Sequence, residues 1–505
     1  MSVQNKLPDN PHFNSRGASR SAFPGGSGGL RLLSLFTALL SMTMTVPLAV
    51  AALLGETEMI RAFALSMAVP FPLALSILLV VTRKQRIRFA AADGFLLVFF
   101  IWIIACLLGC LPFLFSRTMS GFADAFFESA SGFSTTGISL FADVEVLPRS
   151  LLLWRSMTHW LGGIGIVMLT VALFPLMGIG GFQLVKAETS GPEKEKITPK
   201  ITATAKILCF LYLGLTALLT VLLVLGGMDW LDAVIHSFAT IATGGFSSRN
   251  NSIAAFASPF IEWVCIFFMI LSGYNFALLF QLLRGKVRDV FRNSEGRAYL
   301  TIMGISSLVV ALSLYSAGED FSTAIRRGLF HCSSIITSCG FAIADHNLWP
   351  PLAQGVLFLL MFIGGCSGST SGGIKVVRWV VLFKQAINEA RRLVYPRGVF
   401  NIRLNRKVGR KDVVYGVAGF IFLYVAMIAA AFLLVAGAGV DPWDSLNAAL
   451  LCLGNIGLGL GELNSSTLLA SCPAYVKWGL SLFMIAGRLE IWTFFVLFMP
   501  AYWRR

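Results

Sequence analysis

Ten stretches of this 505-residue chain are strongly apolar and about as long as a bilayer is thick. Because an α-helix needs about 20 apolar residues to cross the hydrocarbon core, these stretches predict about ten membrane spans. They lie at 31–53, 62–82, 94–116, 152–176, 206–227, 258–283, 298–316, 354–383, 414–438 and 476–500. The chain is 56% hydrophobic and 13% charged, a balance that soluble globular proteins do not have. The sequence therefore predicts an all-α polytopic membrane protein.

The formal net charge of +15 is concentrated between alternate spans. The basic clusters are TRKQRIR at 82–88, KAETSGPEKEKITPK at 186–200, RGKVRDVFR at 284–292 and RRLVYPRGVFNIRLNRKVGRK at 391–411. This alternation is typical of cytoplasmic loops under the positive-inside rule, and it puts both termini on the cytoplasmic side. The charge therefore indicates topology first and a docking surface second, and it calls for no nucleic acid partner.

The first 30 residues are polar and rich in Gly and Ser. They lack the short apolar core and the cleavage site of a signal peptide. We predict a disordered cytoplasmic tail at 1–30 and a retained first helix. The nine cysteines are scattered through apolar segments without CxxC spacing, which indicates small buried residues and neither a disulfide framework nor a metal site.

Four segments of similar pattern recur about every 100 residues, the mark of an internal repeat. Each has two or three apolar turns, then a small or polar residue, then glycine and a bulky apolar residue. They read FESASGFSTTGISL (127–140), IHSFATIATGGFSSR (235–249), FHCSSIITSCGFAIA (330–344) and LNAALLCLGNIGLGL (446–460), with Gly137, Gly245, Gly340 and Gly457 as anchors. Glu128, His236 and His331 each lie nine residues before their glycine, whereas the fourth segment has Ala448 there.

Such segments are costly inside a membrane, because non-helical backbone must be surrounded by protein or water. Four of them around one axis would arrange carbonyl groups along a shared aqueous path, where they can replace the hydration shell of a cation. Glycine suits this backbone because it adopts φ values that a side chain forbids. One segment alone would be an ordinary glycine-rich loop, but four in matching positions predict an ion pore.

Several motifs extend this pattern. Besides STTG, ATGGF, TSCGF and NIGLGLG, the chain contains WLGGIGIVML (160–169), KAETSGPEKEKITPKITATAK (186–206), SGYNFALLF (272–280), GGCSGSTSGGIKVVR (364–378) and GRLEIWTFFVLF (487–498). Together they resemble the superfamily of Trk, Ktr and HKT potassium transporters, and more closely the membrane subunit of bacterial Trk systems. The resemblance covers nearly all of the chain after residue 85.

The resemblance implies four helix–pore-loop–helix repeats around one ion pore, with two extra N-terminal transmembrane helices. The corresponding units are a two-helix unit at 31–85 and repeats at 86–185, 186–290, 291–390 and 391–505. One departure is Leu458, where Trk sequences often carry proline. The implied selectivity filter, which would bind K⁺, consists of Thr135, Thr136, Gly137, Thr243, Gly244, Gly245, Ser338, Cys339, Gly340, Asn455, Ile456 and Gly457.

Ten consecutive residues without a large side chain, GGCSGSTSGG at 364–373, interrupt the span at 354–383. Glycine and serine are poor helix formers, so the helix is predicted to break there, and a pliable loop below the filter would serve as a gate. The alternative is a packing kink. The gate residues are Gly364, Gly365, Cys366, Ser367, Gly368, Ser369, Thr370, Ser371, Gly372, Gly373, Lys375 and Arg488.

Charged and histidine side chains near these segments have competing interpretations. Arg488 lies in the last span, where a charge usually faces the bundle interior; it either points to the pore beside the loop or pairs with Glu490 or with carbonyls. Glu128 either attracts cations at the outer mouth or is hydrogen-bonded behind the filter. His159, His236 and His331 are predicted to pack and not to bind a metal, because none has a second ligand three or four residues away.

Two other functions remain as alternatives. GCSG at 365–368 has the GxSG form of an intramembrane serine protease, which needs a histidine base, but no histidine follows Ser367, so we predict that the chain is not an enzyme. A transporter of sodium or another monovalent cation on the same architecture is the second alternative. No nucleotide-phosphate loop or cofactor fingerprint is present, and no covalent cofactor is expected.

The resemblance implies potassium uptake across the bacterial inner membrane, either as a channel or as a symporter. Preference for potassium rests on glycine at all four anchor positions, because serine at the first is associated with sodium passage in the plant relatives. The implied partners are membrane lipid, a second copy in a homodimer and a cytoplasmic nucleotide-binding regulatory subunit of the TrkA kind.

Overall fold

The computed structural model describes residues 26–80, 91–168, 197–404, 407–408, 411–461 and 467–503. The first helix already begins at Gly26, so residues 26–30 are helical and not part of a disordered tail as predicted, because the helix extends past the apolar run that stabilises it. Residues 1–25 of the predicted tail lie outside the described residues, as do the basic cluster at 82–88 and most of the one at 186–200.

The regular secondary structure of the described residues is helical apart from one two-stranded ladder, which agrees with the predicted all-α class. The first half contains α1 (Gly26–Thr43), α2 (Thr45–Leu54), α3 (Thr57–Ala68), α4 (Pro70–Val80), α5 (Ala91–Gly109), α6 (Leu111–Phe115), α7 (Phe122–Phe133), α8 (Arg149–Met168), α9 (Ile197–Leu225), α10 (Trp230–Ile241), α11 (Pro259–Gly273) and α12 (Phe276–Leu283). A 3₁₀ turn at Ser252–Phe256 precedes α11.

The second half continues with α13 (Val287–Arg292), α14 (Ser294–Ser316), α15 (Phe321–Ile336), α16 (Pro351–Leu360), α17 (Val376–Val394), α18 (Lys411–Ala436), α19 (Pro442–Gly454), α20 (Thr467–Ser471), α21 (Ala474–Arg488), α22 (Ile491–Val496) and α23 (Pro500–Trp503). A 3₁₀ turn at His346–Leu348 precedes α16. Between α17 and α18, β1 (Arg403–Leu404) pairs antiparallel with β2 (Lys407–Val408), with Arg403 opposite Val408.

Six helical spans in the described residues are long and apolar enough to cross a membrane, or seven if the pair α11 and α12, bent by 107°, counts as one span. Of the other three predicted spans, two are broken and one is described only in part. The stretch 354–383 is broken between α16 and α17, and 476–500 is broken between α21 and α22. The stretch 152–176 is helical to Met168, where the described part ends.

Four helices, α7, α10, α15 and α19, have only 12 to 16 residues and are too short to cross a bilayer. We call them the short helices. Three begin at an aspartate, Asp229, Asp320 or Asp441, whose carboxylate accepts backbone N–H groups of the first turn, a favourable N-cap. Two other helices flank each of them: α7 packs on α8 and α21, α10 on α8 and α9, α15 on α11 and α14, and α19 on α18 and α21. This flanking places all four in the interior.

Candidate functional site

The four anchor glycines of the repeated segments meet at one cavity. Gly137, Gly245, Gly340 and Gly457 all line a cavity of about 530 Å³ at the C-terminal ends of the short helices. Each glycine is partly exposed to it, while the two residues before each glycine are buried. The fold therefore brings the four predicted anchor glycines together, and the two residues before each of them lie buried next to the cavity.

The glycines stand where four backbones touch in a closed ring. A Cβ atom on Gly137 would collide with the carbonyl oxygen of Gly244, and one on Gly245 with the carbonyl oxygen of Cys339. A Cβ on Gly340 would lie 2.6 Å from the Cα of Gly457, and one on Gly457 would lie 3.0 Å from the carbonyl oxygen of Thr136. No side chain fits at Gly137, Gly245 or Gly340, whereas one at Gly457 would require only a small shift of its neighbour. The ring therefore depends on glycine at three of its four positions.

All four segments share one backbone hydrogen bond. The residue before each glycine donates its N–H to the carbonyl five residues earlier, at 2.8 to 3.0 Å: Thr136 to Ser131, Gly244 to Ala239, Cys339 to Ser334 and Ile456 to Leu451. In two segments a serine also ties down the carbonyl after the glycine, since Ser131 donates to Ile138 and Ser334 to Phe341. Each segment is thus anchored to its own short helix.

A second shared feature was not predicted from the sequence. The residue two before each glycine has a left-handed backbone, with φ of 54° at Thr135, 55° at Thr243, 56° at Ser338 and 53° at Asn455. This region is a rare outlier for β-branched residues and costs roughly 1–3 kcal/mol. The sequence signal for this feature is a residue with a hydroxyl or amide side chain two positions before each glycine.

The fourth segment differs from the others at its glycine. Gly137, Gly245 and Gly340 have φ of 85°, 84° and 86°, but Gly457 is not among the residues with positive φ. This difference lies next to Leu458, the position at which the sequence departs from the Trk pattern. Asn455 holds this segment through its amide, which donates to Thr136 Oγ1 and to the Met484 carbonyl, both at 2.9 Å.

The carbonyl groups of the residues just before the glycines lack hydrogen-bond donors among the described residues. Within the part of the chain that the structure describes, no donor pairs with the carbonyl oxygens of Thr136, Gly244, Cys339 or Ile456. Buried carbonyls are nearly always paired. Four unpaired carbonyls next to one cavity are the chemical arrangement that accepts a cation.

Glu128 lies behind the first segment and not at the outer mouth. Its carboxylate pairs with Arg155 at 2.8 Å, and both side chains are almost completely buried. It also accepts from Ser139 Oγ at 3.0 Å and from the Leu140 N–H at 2.9 Å. Of the two interpretations, the structure favours the hydrogen-bonded one.

We expect Glu128→Gln to lower thermal stability markedly, because it leaves the buried Arg155 guanidinium without a counter-charge. Disrupting one partner of a buried pair costs about 3–5 kcal/mol. The matched control is Glu319→Gln, which disrupts the partly exposed pair with Arg327, since exposed pairs contribute about 0–1 kcal/mol. Thermal unfolding of the purified variants measures both, and equal shifts would contradict the assignment.

The three histidines act as packing residues. His159 Nδ1 lies 2.7 Å from the Gly132 carbonyl and its Nε2 accepts the Phe246 N–H at 3.2 Å, so it joins the first segment to the second. His236 contacts the Asp232 carbonyl and Ser247 Oγ, and His331 contacts the Arg327 and Ala344 carbonyls. Among the described residues no group of three His, Cys, Asp or Glu side chains could hold a metal. None of the nine cysteines, all of which lie in the described residues, forms a disulfide, and eight of them are buried.

The predicted helix break is confirmed: α16 ends at Leu360 and α17 begins at Val376. We call residues 361–375 the intramembrane loop. Thr370 Oγ1 donates to the Ile241 carbonyl at 3.0 Å, and the Gly372 N–H donates to Ser338 Oγ at 2.6 Å. A Cβ on Gly372 would collide with the Gly454 carbonyl. The loop therefore lies against the C-terminal ends of three short helices, α10, α15 and α19.

Two basic side chains, Arg488 of α21 and Lys375 at the end of the loop, donate hydrogen bonds to carbonyl groups of the loop. Arg488 is 3% exposed and its NH1 donates to the Thr370 carbonyl at 2.6 Å, while Lys375 Nζ donates to the Ser371 carbonyl. Glu490 pairs with Arg378 instead of Arg488, because it lies in the break between α21 and α22 with a φ of 66°. Arg488 thus combines two of the interpretations from the sequence, a position beside the loop and a carbonyl partner.

Sequence reasoning missed Glu295 and Asn275, which hold the tip of the loop. The Ser367 N–H donates to Glu295 Oε1 at 2.6 Å, and Asn275 Nδ2 donates to the Ser367 carbonyl at 2.5 Å. Asn275 also caps α12, so the α11–α12 bend and the loop are built together. The available signals were the asparagine inside the SGYNFALLF motif and a carboxylate at the start of an apolar run.

Comparison with known proteins identifies the family. Residues 63–505 match the TrkH family model, described as a cation transport protein. The chain is 37% identical over 481 residues to the Trk system potassium uptake protein TrkH of Escherichia coli K12, which covers 94% of this chain and 98% of that protein. It is 34% identical over 427 residues to TrkG of the same strain, covering 84% of this chain and 88% of that one.

A solved structure agrees with this match. The crystal structure of the potassium transporter TrkH from Vibrio parahaemolyticus superimposes with a TM-score of 0.87 at 34% identity, over 95% of this chain and 99% of that chain. The chain is a multi-pass membrane protein, and its relatives are transporters, which confirms that it is not an enzyme. It belongs to the TrkH family of cation transport proteins.

Proposed function

We propose that this chain is the potassium-conducting pore of a Trk-type uptake system in the bacterial inner membrane. One observation carries the proposal: four glycine-anchored segments meet at one cavity, with unpaired carbonyl groups beside each glycine. Rings of backbone carbonyls can replace the hydration shell of a potassium ion. The names of the relatives as potassium uptake proteins support potassium as the substrate.

The short helices add to the attraction for a cation. A helix carries roughly half a negative charge at its C-terminal end, and all four short helices end where the filter segments begin. The proposed ion-binding residues are therefore the twelve named from the sequence, from Thr135 to Gly457, through their carbonyl oxygens. The side chains of the same residues anchor the segments, as Asn455 and Ser338 do.

The proposed architecture is four repeats around one pore, at 86–185, 186–290, 291–390 and 391–505, after a two-helix unit at 31–85. The shared hydrogen bond before each glycine and the shared left-handed residue support it. Further support comes from the flanking of each short helix by two other helices. The N-terminal unit corresponds to the spans Gly28–Leu54 and Thr57–Val80.

The intramembrane loop is the proposed gate, with residues 364–373, Lys375 and Arg488 as its parts. It lies against the ends of three short helices, directly next to the filter segments. It is held by side chains from α14, α21 and the α11–α12 bend. A loop in this position obstructs the path when it is ordered and admits ions when it is displaced.

The proposed binding partners are membrane lipid, a second copy of the chain and a cytoplasmic nucleotide-binding subunit. Both termini are proposed to lie on the cytoplasmic side. Basic clusters between alternate spans support this orientation and a docking surface on that side. The test is co-purification with a candidate nucleotide-binding subunit at low and at moderate salt. Failure to associate in both conditions would count heavily against the partner.

Potassium uptake by cells that lack their own potassium systems tests the proposal directly. We expect the chain, expressed with its regulatory subunit, to restore growth at low potassium. Cells that express the subunit alone are the control, and immunodetection in the membrane fraction verifies expression. Absence of rescue and of cation flux in reconstituted vesicles would overturn the function.

A sodium transporter on the same fold is the remaining alternative, and Gly137→Ser addresses it. Because Gly137 has a φ of 85° and faces the Gly244 carbonyl, we expect the potassium to sodium flux ratio to fall by about tenfold, equivalent to about 1.4 kcal/mol. Gly227→Ser is the matched control, since Gly227 has a φ of 100° but open surroundings. An unchanged ratio in Gly137→Ser would contradict a potassium filter.

A further inference from the structure

A second, much smaller cavity lies on the side of the intramembrane loop that faces α17 and α21. Its volume is about 30 Å³. The loop contributes Ser369 and Ser371, and three basic residues, Lys375, Arg378 and Arg488, line it together with Tyr424 and Glu490. Three cationic side chains around one small cavity make it different in kind from the filter cavity.

The carboxylates in the described part of the chain do not fully balance the charges around this cavity. Glu490 is the one carboxylate among the described residues that lines it, and Glu490 pairs with Arg378. Glu295 lies near Lys375 and attracts its charge. Lys375 and Arg488 donate to the carbonyls of Ser371 and Thr370, which are neutral. Among the described residues the formal positive charge of Arg488 therefore has no carboxylate partner, in the membrane interior, where unpaired charges are expensive.

Hydrogen-bond donors without an acceptor indicate where a compensating negative charge would bind. Among the described residues no acceptor pairs with Arg488 Nε or NH2, nor with the Tyr424 hydroxyl. Arg488 is 3% exposed and Tyr424 is 2% exposed. A guanidinium keeps its charge in proteins and has five N–H donors, and a buried charged donor without an acceptor carries a full desolvation cost.

We propose that this cavity binds a small monovalent anion of the chloride class, which accepts from Arg488 and Tyr424. A cavity holds one water-sized body once it exceeds roughly 10–15 Å³ on this measure, so 30 Å³ suits a single halide. Sulfate, phosphate and carboxylate metabolites are too large. The anion neutralises the charge of Arg488, while Glu490 pairs with Arg378 and Glu295 lies near Lys375.

The consequence for transport rests on the proposed function of the loop as a gate. The anion lies between the loop residues Ser369 and Ser371 and the Arg488 side chain of α21. By neutralising this cluster it stabilises the arrangement in which Arg488 holds Thr370. Displacement of the loop opens the cavity and releases the anion, so halide favours the obstructed state.

Binding is tested on the purified full-length chain without measuring transport. Thermal unfolding is compared in equal concentrations of potassium chloride, potassium bromide and potassium gluconate. Because a ligand that binds the folded state raises its stability with concentration, we expect a higher, saturable midpoint in both halides than in gluconate. Crystals grown in bromide are expected to give an anomalous peak between Arg488 and Tyr424.

Tyr424→Phe is the informative variant, because it removes one proposed donor and leaves the loop residues intact. We expect this variant to need a several-fold higher halide concentration for the same rise in the unfolding midpoint. Tyr212→Phe is the matched control, since Tyr212 is equally buried but donates to the Trp160 carbonyl. Equal midpoints in all three salts, a halide effect that is the same in both variants, or water density without anomalous signal would overturn the anion site.

A separate measurement distinguishes this site from the gate. Potassium flux is measured in vesicles with a protonophore that carries the compensating charge, in chloride and in gluconate. Higher basal flux in gluconate supports the link between the anion and the loop. Halide binding without any change of flux leaves the site in place and overturns that link alone.

Discussion

We expect Gly340→Ala to abolish the potassium preference of ion flux and to lower its rate. Gly340 has a φ of 86°, and a Cβ there would lie 2.6 Å from the Cα of Gly457 and 2.9 Å from its N and C atoms. These neighbours are backbone atoms of the fourth filter segment and cannot rotate away. The substitution must therefore push two segments apart, which enlarges the ring and displaces the carbonyls from ion-binding distance.

Gly318→Ala is the matched control for this variant. Gly318 has a φ of 99°, so alanine is strained there too, but no atom lies within 4 Å of the added Cβ. We expect the control to retain its potassium to sodium ratio in reconstituted vesicles. A Gly340→Ala variant that folds, inserts and keeps the wild-type ratio would show that the ring does not set the preference.

Removal of Gly368 to Ser371 is expected to raise the potassium flux measured in the absence of the regulatory subunit by about tenfold or more. This rise corresponds to a loss of at least about 1.4 kcal/mol of the free energy that favours the closed state. The deletion removes the Thr370 hydroxyl from the Ile241 and Ser272 carbonyls and deprives Arg488 of the Thr370 carbonyl. Because the filter segments keep their own hydrogen bonds, the ratio of potassium to sodium flux should remain near that of the intact chain.

Thr370→Val gives a graded comparison for the deletion. It keeps the length of the loop and the carbonyl that Arg488 binds, and it removes only the hydroxyl bonds to Ile241 and Ser272. We expect a smaller rise in basal flux than in the deletion. If the deletion variant is folded and inserted but its flux is unchanged or lost, the loop is not the gate.

The parts of the fold that follow chemical composition were predictable. Apolar length predicted where helices lie, because the cost of exposing backbone in a bilayer leaves few alternatives. The run of small residues at 364–373 predicted the break between α16 and α17, because glycine and serine destabilise a helix wherever it lies. The recurrence of Gly137, Gly245 and Gly340 was likewise readable, because only glycine tolerates their backbone conformation.

Other features had no local signal. The break at Glu490 falls inside an apolar stretch with no glycine or proline at the break itself, and it persists because Glu490 pairs with Arg378 of a distant helix. The same contact explains why Arg488 does not pair with its sequence neighbour. Glu128 gave no basis for choosing between the outer mouth and the protein interior until Arg155 was found beside it.

The sequence by itself determined the class of the protein, most of the spans and the glycine positions, because these depend on the solvent around each residue and on its own backbone. Only the tertiary structure decided which charged side chains pair and which carbonyl groups stay unpaired. It also decided against which helix termini the intramembrane loop packs. Glu295 with Ser367 and Asn455 with Thr136 are pairs separated by many residues along the chain. Their contacts arise from the packing of whole helices, which no pattern within either segment encodes.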